Sequence, residues 1–545
     1  MLNADCHSIT VMPGLQKLFL DYCAGDDAVR PFYAQRPAGD DLQGSWQTRP
    51  AIPAHWPELV RILAEQNIAP SPAAADALKA LSQGAGVVVT GQQVGLFGGP
   101  LYTPFKAATA LARARAATAA DQPHAAIFWL ATEDHDFAEI NHVVFPGRRE
   151  LKKLVYENAP AVARPVGGIV LDDSIAPLID EAWELLGPSD AMEAMAAAYK
   201  PGRTFAQAFA EFYSKAFAQQ GLLVLDAESR AIHRMGAPVL RAGLERADEL
   251  HAALVDRDKE LEAAGYHAQV AVSAQSSLLF LMEEKTGARL ALKRLPVSAA
   301  EPAGLWQTVG EAGRRSYSTA ELVGILAAEP ERISPSALLR PVFQDFLLGS
   351  SAVVGGPAEI AYFAQSSVLY ERILGRVTPT LARFSATLIE PEIGDLLRQH
   401  ELTLERVFEE NPDSLAQLFA ARSIPALGKK KLGAAALALD EELIPLIDWM
   451  RSLDEGLGRS AETAASKMRY QMNRLHRLAA NFQLQRETQL TRQAEAVSRS
   501  LYPGGVLQER VHGAAYYFAR YGFELAEEIT AQAANPCPGH TAMWL

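Results

Sequence analysis

Glu133-Asp134-His135-Asp136 places three carboxylates around one imidazole, directly after the apolar run Ile127-Phe128-Trp129-Leu130. Such neighbours can raise a histidine pKa, orient the ring, bind a substrate ammonium or hold a metal. Glu139, Asn141 and His142 follow within two helical turns. The separation of His135 from His142 fits no common zinc pattern, so no metal is assigned. Asp134, His135 and Asp136 are the catalytic candidates. The bland use of the same residues is helix capping, with Asp134 or Asp136 as N-cap.

A second chemical segment is Thr90-Gly91-Gln92-Gln93-Val94-Gly95-Leu96-Phe97-Gly98-Gly99-Pro100. A Gly-rich turn between a strand and a helix can aim backbone N–H groups at an anion, aided by the positive helix N-terminus. Gly91, Gln92, Gln93 and Gly95, with Lys106 further into the helix, are therefore the candidates for a phosphate-bearing cofactor. The segment is neither a Walker A motif nor a dinucleotide fingerprint. A tight turn for close helix–strand packing accounts for the same glycines.

The pattern of strand, glycines and helix recurs at Gly355-Gly356-Pro357-Ala358-Glu359-Ile360-Ala361-Tyr362. Glu359 and Tyr362 fall one turn apart on one helix face, suited to an amine and a hydroxyl of a substrate. Gly355, Gly356, Glu359 and Tyr362, with Tyr102 and Asn141, form the substrate-binding set. Cys537 and His540 are two candidate metal ligands, too few for a site. Lys429-Lys430-Lys431, between Gly428 and Gly433, reads as a solvated loop.

These residues need a scaffold that holds them at chain turns. Val87-Val88-Val89-Thr90 reads as a buried strand, Thr103 to Ala119 as an Ala-rich helix, and Ile127 to Leu130 as a second strand. That order is a βαβ unit with its functional loops at the strand C-termini. A helix from Thr204 to Gln220 precedes a strand ending at Asp226. Gln269–Val272, Leu278–Met282 and Ala288–Lys293 read as an antiparallel insert. Ser351 to Gly355 is a further buried strand, and Pro357 opens the helix after it.

Strand signals stop at about Leu388. Helical stretches follow near 393–422, 434–456 and 459–500, where Met468, Leu475 and Phe482 share a heptad position and Leu478 sits at a d-like one. Residues 440–455 are acidic and 467–499 basic, which favours an antiparallel helical hairpin. The expected fold class is α/β, a Rossmann-like core with inserts at about 145–220 and 265–335 inside residues 1–387. A helical coiled-coil arm at 388–500 and a return segment at 501–545 complete it.

The chain of 545 residues has a net charge of −13, which disfavours nucleic acid as a partner. No apolar run approaches the ~20 residues needed to span a bilayer. The N-terminus lacks a secretory pattern, and three cysteines are too few and odd in number to staple a secreted protein of this size. A cytoplasmic location is expected. Cys6, Cys23 and Cys537 receive no role.

TGQQVGLFGGPLYTPFKA (Thr90–Ala107), FWLATEDHDFAEINHV (Phe128–Val143) and the segment from Ser334 to Gln365, with SPSALLRPVFQDFLL and VVGGPAEIAYFAQ, resemble the signature blocks of the cysteine-adding enzymes of bacillithiol synthesis. Gly265-Tyr266-His267 and Leu501-Tyr502-Pro503-Gly504-Gly505, continuing to Gln508-Glu509-Arg510, add smaller matches. Two departures are Ser273–Ser277, where Asn-rich residues are common, and Val94, where Pro is frequent. The resemblance implies a core related to class I aminoacyl-tRNA synthetases and an arm that supports a homodimer. It also implies joining of L-cysteine to the amine of glucosaminyl-malate as an amide, the last step of bacillithiol assembly.

Amide formation from a free carboxylate is uphill in water. A synthetase-like core therefore implies ATP with Mg and a cysteinyl-adenylate. His135 would steady the transition state or take the amine proton, and Lys106 would counter phosphate charge. A synthetase-type His-x-Gly-His pair is absent from the sequence. Two rivals are a nucleotidyl-transfer or tRNA-related enzyme on the same core, supported only by the basic helix, and a non-catalytic dimeric scaffold, which leaves the 133–136 cluster unexplained.

Overall fold

The structure is a computed structural model that describes residues 2–34, 50–273, 277–295, 305–309, 314–486, 488–535, 537 and 539–545. Residues 274–276, the middle of the Ser273–Ser277 departure, and Glu487 of the basic stretch lie outside the described residues. Two compact units emerge: Met1–Gly147, Leu151–Ala386 and Glu509–Thr541 form the first, and Arg148–Glu150, Thr387–Gln508 and Ala542–Leu545 the second.

The first unit is organised by five parallel strands: β1 (Gly86–Gln92), β2 (His124–Leu130), β3 (Leu223–Asp226), β4 (Ala352–Gly355) and β5 (Thr380–Ala382), in spatial order β5-β4-β1-β2-β3. Val89 pairs with Ile127 on one side and with Val353 on the other. Near-continuous apolar residues form these strands because both faces are covered, and every residue of β2 is buried. Helix α1 (Tyr102–Ala119) connects β1 to β2, and α2 (Pro357–Leu374) connects β4 to β5. The chain leaves β1 in one direction toward β2 and β3, then returns to its other side with β4 and β5. The C-terminal ends of β1 and β4 therefore flank a topological switch point, where open α/β sheets form their ligand crevice.

Between β3 and β4 an antiparallel sheet orders Ser316–Ser318, Leu305–Val309, Arg289–Arg294, Leu279–Met282 and Ile333–Pro335. Leu278–Met282 and Ala288–Lys293 are thus strands within about a residue of expectation. Gln269–Val272 is not a strand. Its backbone is held instead by one buried amide, with the Gln365 side chain accepting from Val270 N–H at 2.9 Å and donating to its carbonyl at 2.8 Å.

The second unit is helical. Short helices Pro391–Gln399, Leu404–Glu409 and Pro412–Arg422 precede α3 (Ala426–Leu453) and α4 (Glu455–Arg486), followed by Thr488–Leu501. Leu443, Ile447 and Ala465 form the small core between α3 and α4. Arg469 pairs with Asp440 at 2.7 Å, where the basic stretch meets the acidic one, while Arg451, the base of the acidic stretch, pairs in the opposite sense with Glu462. Lys429–Lys431 lie within α3, not in a loop, and stay exposed on a helix that tolerates Gly428 and Gly433. Met468, Leu475, Leu478 and Phe482 are also exposed, so the heptad seam is not what closes this hairpin. Among the described residues, no helix is long and apolar enough to cross a membrane.

Candidate active site

The crevice at the switch point is a cavity of about 410 Å³. The end of β1 contributes Gly91, Gln92 and Gln93, and the loop after β2 contributes Glu133, Asp134 and His135. The turn and first helical residues after β4 supply Gly356 and Glu359, and Arg383 follows β5. Tyr102, Lys106 and Tyr362 project into the same space from α1 and α2. These four strand-end segments meet because parallel strands place all their C-terminal loops at one edge.

One wall is cationic. Lys106 is almost fully buried and spends its three N–H groups on Gly91 O at 2.9 Å, Gln92 Oε1 at 2.8 Å and the Glu359 carboxylate. Burial holds its pKa below the usual lysine value, against the opposing pull of Glu359. Glu359 also caps α2, accepting from Gly356 N–H at 2.8 Å. Arg340 donates to the Tyr362 hydroxyl at 2.6 Å, and Arg383 lies 5.5 Å from the Tyr102 ring centre. Burial pushes the Tyr102 phenol up to about 12. Arg510 completes this wall.

The opposite wall is acidic. Gln93 Nε2 bridges Asp134 Oδ2 at 2.5 Å and Glu139 Oε2 at 2.9 Å. Partial burial and the nearby charges of Asp134 and Asp136 hold the Glu139 carboxyl above its usual range. Behind this wall Glu133 pairs with His233 at 2.7 Å, both nearly fully buried. Burial alone would lower the His233 pKa, but Glu133 and two backbone carbonyls outweigh it and hold it above the usual histidine value. This pair anchors the loop from within the core.

His135 departs from its expected electrostatics. Its pKa is lowered, first by burial and then by Arg289, and the adjacent Asp134 and Asp136 do not compensate. Arg289 Nη1 donates to His135 Nδ1 at 2.9 Å. A guanidinium only donates, so Nδ1 accepts and the neutral ring carries its proton on Nε2. In this state His135 cannot take an amine proton. It can donate a hydrogen bond to a developing oxyanion. Arg289 is fixed by Ser334 Oγ at 3.0 Å, Pro335 O at 2.9 Å and the face of Phe280, 3.8 Å from the ring centre.

The glycine loop is a packing device and not the expected anion cradle. The N–H groups of Gly95, Gly98, Gly99 and Leu101 are taken by Gln93 O, the Tyr199 hydroxyl, Leu96 O and His512 O. A Cβ on Gly95 would lie 2.8 Å from Gly99 Cα, so the loop folds onto itself where only glycine fits. The amides of Gln92 and Gln93 are likewise engaged within the protein, Gln92 Nε2 reaching Tyr102 Oη at 3.3 Å. Lys106 is neutralised by Glu359 and not held ready for a phosphate.

Other candidates also sit outside the cavity. Asp136 caps Phe137–Ile140 through Glu139 N–H at 3.2 Å. Asn141 donates to Tyr156 O at 3.1 Å. Gly355 is strand backbone whose added Cβ would strike Phe363 at 2.8 Å, and Gly95 lines a neighbouring depression. Cys537 is not a metal ligand: it forms a disulfide with Cys6, and His540 Nδ1 meets Ser385 Oγ at 2.9 Å. Among the described residues, no group of three metal-type ligands is present.

Four arginines, Arg289, Arg340, Arg383 and Arg510, were not singled out from the sequence. Arg340 and Arg510 lie inside quoted blocks, and Arg383 follows a short strand, where the strand-end rule could have marked it. Arg289 sits on an insert strand with no local signal.

The chain matches two family models: "Bacillithiol biosynthesis BshC, N-terminal Rossmann-like domain" over residues 4–384 and "Bacillithiol biosynthesis BshC, C-terminal coiled-coil domain" over 386–543. Relatives named "Putative cysteine ligase BshC" include one from Koribacter versatilis, 39% identical over 98% of both chains. Another from Solibacter usitatus is 32% identical over 99% of this chain and 100% of its own. A third from Salinibacter ruber is 30% identical over 94% and 93%. With a Rossmann-like sheet carrying the cavity and a separate helical unit, this chain belongs to the BshC family of bacillithiol biosynthesis.

Proposed function

We propose that the protein is a ligase that joins L-cysteine, through its carboxyl, to the amine of glucosaminyl-malate, completing bacillithiol. The observation that carries this reading is the two-walled cavity, in which a cationic side faces an acidic side across about 410 Å³. Arg340, Arg383 and Arg510 suit the carboxylates of a malyl group or a polyphosphate. Asp134 and Glu139 suit an ammonium. The relatives' printed name, with its cysteine ligase, points the same way.

Glu139, with its raised pKa, receives the proton as the amine becomes nucleophilic. His135 Nε2–H steadies the oxyanion of the tetrahedral state, held in register by Arg289. The arginine wall fits a nucleotide polyanion, and ATP would supply carboxyl activation as a cysteinyl-adenylate; Mg would ride on its phosphates. The same reading places the protein in the cytoplasm. It also places a second copy of this chain on the exposed Met468, Leu475, Leu478 and Phe482 seam as a homodimer partner.

The test is a mass-spectrometric product assay with cysteine and glucosaminyl-malate, with and without ATP and magnesium. Bacillithiol formed only with ATP, with AMP and pyrophosphate released, supports the adenylate route. ADP in place of AMP points to an acyl-phosphate. No bacillithiol under any condition refutes the ligase reading for the isolated chain.

A further inference from the structure

A second cavity, of about 190 Å³, lies beside the two chain ends. Its lining includes Cys23, Arg113, Arg383, Asn535 and Cys537. Three observations converge on it. Cys6 is exposed and Cys537 half-buried in a disulfide joining residues 531 apart in sequence, so small reagents reach it from solvent or from the cavity. The cavity already holds a cation, since Arg113 lines it with a buried Nε that has no hydrogen-bond partner among the described residues. Finally, His540, close after Cys537 in sequence, is linked by a chain of hydrogen bonds to the active site. His540 meets Ser385 Oγ at 2.9 Å, and Ser385 Oγ donates to Glu509 Oε2 at 2.9 Å. Glu509 grips Arg383 through two bonds of 3.0 and 2.5 Å. Arg383 lines both cavities.

We propose that this cavity is a thiol–disulfide exchange site for a small carboxylate-bearing thiol, and that opening the Cys6–Cys537 bond loosens the His540–Ser385–Glu509 hold on Arg383. The incoming thiolate attacks Cys537 Sγ, the sulfur on the cavity side. A new S–S bond forms to Cys537, the Cys6–Cys537 bond breaks, and its electron pair leaves on Cys6, which takes a proton from water. A second thiol then releases the first as a small disulfide and leaves Cys537 reduced. Arg113 receives the carboxylate of the thiol. Leu2 keeps its bonds to Glu528 and Gln532, and strand Asn3–His7 stays paired with strand His540–Trp544, so the termini stay attached while the loss of the covalent tie at Cys537 leaves His540 less firmly held. A disulfide in a reducing compartment is characteristically a redox-sensing one. The effect on the active site rests on the anion-binding role given to Arg383 above; the exchange chemistry does not.

The full chain is oxidised mildly, then exposed at matched thiolate concentration to L-cysteine, to cysteamine, which lacks the carboxylate, or to the larger thiol product. Acid quenching, alkylation and peptide mapping follow. The expected result is a mixed disulfide on Cys537 with Cys6 alkylated, formed about tenfold faster with a carboxylate-bearing thiol than with cysteamine. Arg113→Gln should abolish that preference, and comparing L-cysteine with the product identifies the physiological source. Adducts confined to Cys6 or Cys23, equal rates for all thiols, or no disulfide in the oxidised chain each overturn the exchange site. Separately, Cys6→Ser should raise KM for the anionic substrate about tenfold with kcat retained. An unchanged KM, with exchange still seen at Cys537, overturns the coupling to Arg383 alone. Absence of turnover in the wild type tells against the ligase reading and leaves the mapping result intact.

Discussion

Replacing Glu359 with Gln removes the one carboxylate among the described residues that contacts the buried Lys106 ammonium, whose side chain is 5% exposed. Removing one partner of a buried ion pair costs about 3–5 kcal/mol, because the other charge is left uncompensated. Lys106 keeps Gly91 O and Gln92 Oε1, and Glu359 is itself 17% exposed, so the lower end, about 3 kcal/mol, is expected. Lys106→Met should cost less, about 1–2 kcal/mol, since Glu359 retains Gly356 N–H and the nearby Arg340 and Arg383. The double variant removes both charges together. It should be more stable than the sum of the single losses implies by about 2 kcal/mol. Urea denaturation followed by tryptophan fluorescence, which includes the fully buried Trp129, measures the cycle.

The pH dependence adds an independent check. In Glu359→Gln the Lys106 pKa, already lowered by burial, loses the group that raised it. A lysine whose folded pKa lies below its unfolded value destabilises the fold most where it must stay charged. The deficit of this variant should therefore shrink as pH rises from 7 toward ~10. Additivity of the two substitutions within ~0.5 kcal/mol, or a pH-independent deficit, would refute the ion pair as the organiser of the cationic wall.

Three further outcomes follow from the same geometry. Arg289→Met removes both the donor to His135 Nδ1 and a nearby positive charge, so the His135 pKa, read by NMR titration, should rise; an unchanged value disproves the assigned tautomer. Glu228 is held at about 7, by burial first and then by Asp226 and Glu133, so its contribution is most favourable below about pH 4.5 and lost as pH rises to about 7. Glu228→Gln should therefore stabilise the protein at pH ~8 by up to about 3 kcal/mol and do nothing at pH ~4, whereas an equal gain at both would contradict the shift. Leu475→Glu with Phe482→Glu should convert a dimer to a monomer in sedimentation without loss of helix, and a dimer that persists would place the interface elsewhere.

Four of the five parallel strands were legible because they are short apolar runs, a local pattern that burial on both faces imposes, whereas the three-residue edge strand Thr380–Ala382 carries no such run. Residues 91–93, 133–135 and 356–359 were legible as cavity-lining segments because strand C-termini converge in a parallel sheet, whereas their neighbours Gly95, Asp136 and Gly355 serve turns, a cap and strand packing. The helical arm was legible in its loss of strand signals and in its charge blocks, which meet at Arg469 and Asp440. What each side chain does inside the cavity was not. Lys106 looked available to an anion until α2 brought Glu359 against it, and His135 looked destined for a raised pKa until Arg289 arrived from an insert strand. Cys6 and Cys537 become one bond only because the fold brings the two ends of the chain together. Local sequence determines which residues form strands, helices and turns, since those depend on neighbours along the chain. Charge state, hydrogen-bond partner and disulfide pairing depend on neighbours through space, and only the tertiary structure decides them.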